Sequence, residues 1–348
     1  MDAQSQFIPV STLVESGAAS SHPAPPARFS AEEKRRMREE PGNRAAHRIV
    51  RIRRSVQVVL FSLFVLFFLV TTVSGTFFGI PKDFFMMIDF LVPLYHWILS
   101  HHLAVYALGP SLFILVLTLW GGRIFCGWIC PLGTLIDISD RLLYRKGRLF
   151  YNRKRSETRR YRNFKFIYLL VGLGAAGFAV DILSFGDPLS LITRTFTFCV
   201  YPPLAFVWNG VLNALDHLGF TDWAYRVLGW SISSWHFQTM VYQDSLAVLA
   251  VIVAIIALSG FQERFWCRNL CPYGALLGLL SRFARLRHYI RMDGCIHCKK
   301  CEIQSRHGCY ENLDRKATGE VTHAITECIQ CFRCETICPT DVIQIKAR

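Results

Sequence analysis

Charged residues are scarce in this 348-residue chain, 18% against roughly 25% in ordinary soluble domains. Acidic ones are scarcer still, 25 Asp and Glu against 39 Lys and Arg. The chain has no P-loop, no glycine-rich dinucleotide fingerprint and no nucleophile triad, which excludes the common nucleotide-dependent and hydrolytic chemistries. No long apolar run carries an interior histidine, so a haem held between facing spans is disfavoured; His96, His101 and His102 read as interfacial polar contacts. Hydrophobic residues, by contrast, make up 52% of the chain and clump into runs. A purely soluble enzyme and a disordered chain are thereby excluded. Thirteen cysteines are present, and eleven stand in or beside C-x2-C and C-x3-C spacings, a metal-binding pattern rather than a secreted disulfide framework. Cys199 stands alone and reads as a packed side chain.

A hydrocarbon core of about 30 Å takes roughly 20 mostly apolar helical residues. Four segments qualify: Ser55–Val73, Leu103–Trp120 with Pro110 inside it, Phe166–Leu183 and Ser245–Phe261. A fifth apolar stretch, Phe196–Leu215, is interrupted by Pro202, Pro203, Asn209 and Asn213 and reads as a helix lying along the membrane surface. Four crossings put both termini on one side. Lys and Arg number ten in residues 1–54, twelve in 123–165 and fourteen in 264–348, whereas only Lys82, Arg194 and Arg226 lie in the two opposite loops. That bias of 36 to 3 marks the basic side as cytoplasmic. The expected location is a bacterial cytoplasmic (inner) membrane, multi-pass, with both termini inside. The net charge of +14 then reports membrane lipid, not nucleic acid. Residues 1–27 are Ser/Ala/Pro-rich and expected to be disordered; a basic stretch separates them from the first apolar run, so that run reads as a retained anchor. Trp97, Trp120, Trp128, Trp223, Trp230 and Trp235 read as interfacial anchors.

Two windows repeat. Arg123–Arg141 (RIFCGWICPLGTLIDISDR) follows the second run, and Arg264–Arg282 (RFWCRNLCPYGALLGLLSR) follows the fourth. Aligned without gaps they share Arg123/Arg264, Cys126/Cys267, Cys130/Cys271, Pro131/Pro272, Gly133/Gly274, Leu135/Leu276 and Arg141/Arg282, seven of 19 positions. Each unit holds two spans and so keeps the same orientation, as parallel repeats about an axis along the membrane normal do. Both C-x3-C-P sets then fall at the cytoplasmic edge. Proline favours the first helical turn and disfavours helix in the residue before it, which sets Cys130 and Cys271 at helix N-termini, where the dipole and basic neighbours stabilise thiolate. What Cys126, Cys130, Cys267 and Cys271 hold stays open between a shared cluster or metal and two dithiol couples. Duplication disfavours reading them as small buried hydrophobes. Asp89 (IDFLVPL) and Asp187 (GDPLSLI) form a weaker echo on the opposite face. Asp181 and Asp187, at the outer end of the third run, read either as helix caps or as contacts for a quinone or a proton.

The last sixty residues carry the most specific signal. Cys328-x2-Cys331-x2-Cys334-x3-Cys338-Pro339 matches the bacterial ferredoxin run, whose fourth cysteine ligates the other of two clusters. Upstream, Cys295-x2-Cys298-x2-Cys301 is followed by Cys309 after seven residues and without a proline. Reciprocal ligation therefore predicts one [4Fe-4S] cluster on Cys295, Cys298, Cys301 and Cys338, and a second on Cys328, Cys331, Cys334 and Cys309. Zinc is the structural alternative for C-x2-C pairs, and the triple spacing with its terminal Cys-Pro disfavours it. Short β-prone stretches, Tyr289–Met292 and Val342–Ile345, flank the motifs as a small ferredoxin sheet requires.

The expected architecture is an α-helical membrane protein: a basic N-terminus (1–54), a domain of four transmembrane helices in two parallel two-helix repeats (55–283), and a small α+β ferredoxin-like domain with two clusters (284–348). This layout resembles the NapH/NosR-like membrane polyferredoxin family over about residues 50–348. The resemblance implies electron transfer at the inner membrane, linked to the quinol pool or cytoplasmic donors and serving a partner reductase or dehydrogenase. It matches Cys126, Cys130, Cys267 and Cys271 to the membrane motifs and the eight later cysteines to cluster ligands. The chain departs from the family in lacking room for a flavin-bearing outer domain before the first span, and it ends ten residues after Cys338. Two rival functions are a copper reductase for cofactor assembly, by analogy with related cytochrome-oxidase assembly proteins, and a redox sensor.

Overall fold

The computed structural model describes residues 32, 44–74, 76–77, 80–81, 87–100, 105–143, 161–217, 243–291, 294–296, 298, 300–301, 309, 320–322 and 325–347. The Ser/Ala/Pro-rich start, His101, His102, Trp223, Trp230 and Trp235 lie outside these residues.

The chain is mostly helical, and its first helix shows how the packing is organised. Helix α1 (Arg44–Ser74) buries Ala46, Val50, Arg53, Gln57, Phe64, Phe67 and Thr71, a stripe recurring at helical spacing. Its other faces leave Val58, Val59, Leu63, Leu66 and Leu69 exposed. Helices α2 (Leu91–Ser100) and α3 (Val105–Gly121) follow, then a π-helical turn (Phe125–Ile129) and α4 (Pro131–Leu143). Two helices are long and apolar enough to cross a membrane, Ala45–Thr72 and Pro188–His217; Gly109–Gly121 and Ser245–Ser259 are apolar but shorter. Exposed apolar side chains continue over the other helices, among them Phe113, Val116, Leu170, Phe206, Val207, Leu246 and Val253. So extensive an apolar surface belongs in lipid or against a partner rather than in water.

One expectation about the spans needs correction. The predicted third span does not run on to Leu183. Helix α5 (Phe164–Ala176) ends early, Ala179 turns left-handed at φ 62°, and the chain doubles back. On the return, a β-carbon at Gly172 would lie 2.3 Å from Leu183, and one at Gly186 would lie 2.2 Å from the Tyr168 ring, so two glycines permit the close hairpin. The stretch expected on the membrane surface is helical and forms part of the 30-residue run Pro188–His217, which is also long and apolar enough to cross a membrane. Asp187 caps α6 (Pro188–Thr195), accepting the Ser190 N–H at 2.8 Å, with Pro188 in the first turn. A π-helical segment (Phe196–Val200) then leads into α7 (Tyr201–His217). Pro202 and Pro203 lack the N–H of an ordinary turn, and the wider turn just before them lets the helix continue. Phe196 packs edge-on against Phe61, Phe64 and Phe68 of α1 at 5.4 to 6.2 Å, which holds the run against that helix.

Helix α8 (Ser245–Ser259), α9 (Phe265–Asn269) and α10 (Pro272–Leu280) complete the helical body. A three-stranded antiparallel sheet then forms in the order β4 (Glu320–Thr322), β3 (Leu286–Arg291), β5 (Ile343–Ala347). Ile290 pairs with Ile343 and His288 with Ile345. These strands lie where the β-prone stretches were expected, with the third strand added. Between them lies α11 (Arg333–Ile337), and two short strands, β1 (Thr76–Phe77) and β2 (Ile80–Pro81), pair at the end of α1.

Candidate functional site

Both C-x3-C-P windows adopt nearly the same backbone. Cys130 donates its N–H to the Phe125 carbonyl at 2.9 Å, and Cys271 donates to Trp266 at 3.0 Å. Each cysteine is extended (ψ 118° and 115°), and the following proline opens a helix, α4 or α10. At the second, the Cys271 sulfur accepts the Gly274 N–H at 3.2 Å.

Two arginines cross-brace the windows. Arg264 donates to the Cys126 carbonyl at 2.7 Å and reaches both Asp137 oxygens at 2.8 Å; Arg123 donates to the Cys267 carbonyl at 3.5 Å. Each repeat's guanidinium therefore lies against the other's cysteine turn. This gives the shared glycines a reason: a β-carbon at Gly133 or Gly274 would press to 3.2 Å on the Cys126 or Cys267 carbonyl that the arginines engage, and one at Gly274 would also lie only 2.7 Å from Arg123. Asp137 also accepts from Gln57, and Arg53 donates to Gly127, which ties α1 to the site.

The repeat breaks its symmetry at one position. Asp137 pairs with Arg264, but the matching residue in the second window is Gly278. The missing carboxylate comes from Glu327, beside Cys328: it accepts from Arg123 at 3.3 Å and from Lys165 at 2.5 Å. The Thr326 carbonyl lies where a Gly278 side chain would stand, 2.9 Å from a built β-carbon. Ile329 presses its carbonyl onto Gly127, and Trp128 donates to the Gln330 carbonyl at 3.0 Å while its ring meets Phe332. Trp128 thus clamps the ferredoxin-like segment, a role its reading as an interfacial anchor did not include. Gln330 and Phe332 both hold left-handed backbone, and Gln330 bonds His288 of β3 at 2.7 Å.

Cys126, Cys130, Cys267 and Cys271 are all buried, in one apolar cluster that also takes in Ile329 and Cys331. Cys309, Cys328, Cys334 and Cys338 are buried in a second cluster, with Cys295 and Cys301 packed against it. Cys301 lies in electrostatic reach of Cys334, Cys295, Cys338 and Cys298, and Cys309 in reach of Cys328, Cys331 and Cys334. Cys199 stands apart, its sulfur 3.5 Å from the Ser245 carbonyl. Among the described residues, no three His, Cys, Asp or Glu side chains are drawn closely enough to hold a single metal ion. The expected thiolate stabilisation at the helix N-termini does not prevail. Burial first, then the neighbouring sulfurs, push Cys130 and Cys271 well up and Cys267 up to about 11, outweighing Arg264 and the backbone donors. The same two causes push Cys301 up to about 12. Buried sulfurs this crowded ionise together only with a cation among them, and an all-sulfur donor set suits iron.

The predicted outer-face position of Asp89 and Asp187 does not hold. Both are buried, Asp89 in reach of Cys126 and Asp187 in reach of Cys271. Asp181 stays exposed and caps the Ser184 turn at 3.1 Å. Sequence reasoning assigned no role to Arg123, Arg264, Asp137 or Glu327. The signal was the Arg identity in the repeat, together with the one-sided Asp137/Gly278 pair.

Sulfur-lined, buried and cross-braced, this arrangement defines a ferredoxin-type iron–sulfur protein that transfers electrons. The 4Fe-4S binding domain model matches residues 103–150 and 245–289, once over each repeated window. The chain is 26% identical to the ferredoxin-type protein NapH of Escherichia coli over 329 residues, 89% of this chain and 93% of that protein. It is 25% identical to the methylamine utilization ferredoxin-type protein MauN of Methylorubrum extorquens (56% of this chain, 51% of that one) and 25% identical to the regulatory protein NosR of Pseudomonas aeruginosa (69% and 28%). The matched domain and these relatives support a place for the chain among proteins similar to the NapH/NosR-like ferredoxin-type membrane proteins. No solved structure matches.

Proposed function

We propose that the protein carries single electrons along a line of sulfur-held centres at the cytoplasmic face of a bacterial inner membrane, between cytoplasmic donors or the quinol pool and a partner reductase or dehydrogenase. Cys295, Cys298, Cys301 and Cys338 hold one [4Fe-4S] cluster. Cys328, Cys331, Cys334 and Cys309 hold a second, and Cys126, Cys130, Cys267 and Cys271 hold a further redox group. Such clusters, when bound, supply one-electron chemistry whose potential the protein sets through burial and hydrogen bonding. The burial of Cys331 in one apolar cluster with the four membrane-motif cysteines carries this reading, because it puts the second ferredoxin motif next to them. Glu327, Arg123 and Lys165 hold that motif in place, and the order of centres runs from Cys295–Cys301 through Cys328–Cys334 to the paired windows.

The multi-pass topology with both termini inside is part of the proposal. Residues 164–187 rise and return, so counting Pro188–His217 as a crossing keeps the number of traverses even. The ferredoxin-type relatives, one of them named for methylamine utilization, support a partner oxidoreductase.

The test is a Cys126→Ala/Cys267→Ala double variant of the full chain, purified without oxygen. Conduit function predicts retained ferredoxin signals by electron paramagnetic resonance, with electron flux into a quinone-containing membrane lost. Unchanged flux overturns the assignment of the four membrane-motif cysteines. Iron and sulfide analysis of the unaltered protein is expected to give about eight iron atoms in the ferredoxin part, two four-iron clusters.

A further inference from the structure

Two carboxyl groups lie buried beside the four-cysteine centre with no role in the electron path. Asp89 is fully buried and Asp187 is 2% exposed. Each starts a helix with one oxygen: Asp89 accepts the Leu91 N–H at 2.8 Å, and Asp187 accepts the Ser190 N–H at 2.8 Å. The other oxygens, Asp89 Oδ2 and Asp187 Oδ1, are buried and receive no donor, and the two side chains lie within hydrogen-bonding reach of each other. The Tyr273 hydroxyl, also buried, faces Asp89. The remaining titratable or charged groups around the pair are Cys126 on the Asp89 side, and Cys271, Tyr168 and Arg194 on the Asp187 side. Arg194 stacks on the Phe185 ring at 4.8 Å, and the Tyr168 hydroxyl donates to the Ile182 carbonyl.

We propose that Asp89 and Asp187 form a proton-sharing pair that takes up a second proton when the four-cysteine centre is reduced. Two carboxylates facing each other in a dry site do not both stay ionised. One proton between the two undonated oxygens satisfies both, as a charge-assisted hydrogen bond, and the remaining negative charge rests on two helix N-termini. An electron arriving at the centre from a low-potential one-electron donor adds negative charge within reach of the pair. A proton from water then converts the carboxylate–carboxylic acid pair into two carboxylic acids. On oxidation the electron leaves to the acceptor and that proton returns to water. The coupled step rests on the reading that Cys126, Cys130, Cys267 and Cys271 hold a redox group; the shared proton of the resting pair does not.

The experiment is infrared difference spectroscopy with a redox titration on the purified full-length holoprotein, using dithionite as reductant. In the oxidised protein, a protonated-carboxyl C=O band is expected that shifts in D2O and on labelling aspartate with carbon-13 in its side chain. It should vanish in Asp89→Asn, where the amide still caps the helix. The labelled unaltered protein keeps the test decisive if that variant does not fold. Absence of a labelled carboxylic-acid band overturns the pair. On reduction the band should grow, and the reduction equilibrium should shift tenfold per pH unit, 59 mV for one electron. A pH-independent titration with the band unchanged overturns the coupling. A normal resting band with no redox group beyond the ferredoxin clusters overturns the four-cysteine reading and the coupling with it, and leaves the shared proton standing.

Discussion

Asp137 and Arg264 meet through two bonds of 2.8 Å, Arg264 fully buried and Asp137 nearly so. A buried bidentate pair adds little net stability when compared with apolar residues of the same shape, but breaking it leaves a charge with no counter-ion. Asp137→Asn is therefore expected to cost about 3–5 kcal/mol, read as a lower melting temperature of the detergent-solubilised protein. The exposed Asp341→Asn should change it little. The repeated glycines make a finer comparison. Gly274→Ala puts a methyl group 2.7 Å from the Arg123 guanidinium, whereas the same change at Gly133 meets Arg264 at an ordinary 3.5 Å. Gly274→Ala should thus lower the melting temperature more than Gly133→Ala, although the two positions are equivalent in the repeat. Equal losses would mean that Arg123 moves aside freely.

Between elements, the joint of the ferredoxin-like segment with the helical body turns on what the second repeat lacks. Gly278 leaves space for the Thr326 carbonyl and leaves Arg123 to Glu327. Gly278→Asp returns the carboxylate that the first repeat has, offers Arg123 an internal partner and collides with Thr326. The expected result is release of residues 325–332 to limited proteolysis, with the helical body still folded. Gly127→Ala should act the same way from the other side, since its methyl group would stand 2.1 Å from the Ile329 carbonyl, and a backbone atom cannot swing away.

Much at this scale was legible from spacing. The paired windows and the β-prone stretches lie near where their spacing put them, because turns, prolines and strand pairing act over a few residues. Less legible were features that depend on distant packing. The hairpin after Ala176 is set by Gly172 against Leu183 and Gly186 against Tyr168, and hydropathy alone reads straight through it. Pro202 and Pro203 set the stretch apart from the apolar runs, and the wider turn that lets the helix pass them leaves no mark in composition. Asp89 and Asp187 were assigned to the far face by counting along apolar runs, and a chain that doubles back defeats that count.

At the scale of the molecule, polar and apolar residues are distributed in the reverse of a soluble protein. Arg53, Arg123, Lys165, Arg264 and Arg268 are among the most deeply buried side chains, while Phe113, Leu170, Phe178 and Phe206 lie open. A buried cation network at one end and an apolar exterior elsewhere fit a body set in lipid with its redox centres at the basic edge. The proposed orientation assigns opposite compartments to two exposed positions. Phe178, 86% exposed, lies at the hairpin turn that follows α5, beyond the end of the helix whose first residues hold Glu327. Leu142, 76% exposed, lies at the end of α4 beside Arg141. With the cysteine-bearing unaltered chain as background, Phe178→Cys should react with a membrane-impermeant maleimide added to intact spheroplasts, and Leu142→Cys should react only in inverted vesicles. The opposite pattern would turn the molecule over, put the sulfurs on the outer side, and deny them the cytoplasmic donors that the proposed electron path requires.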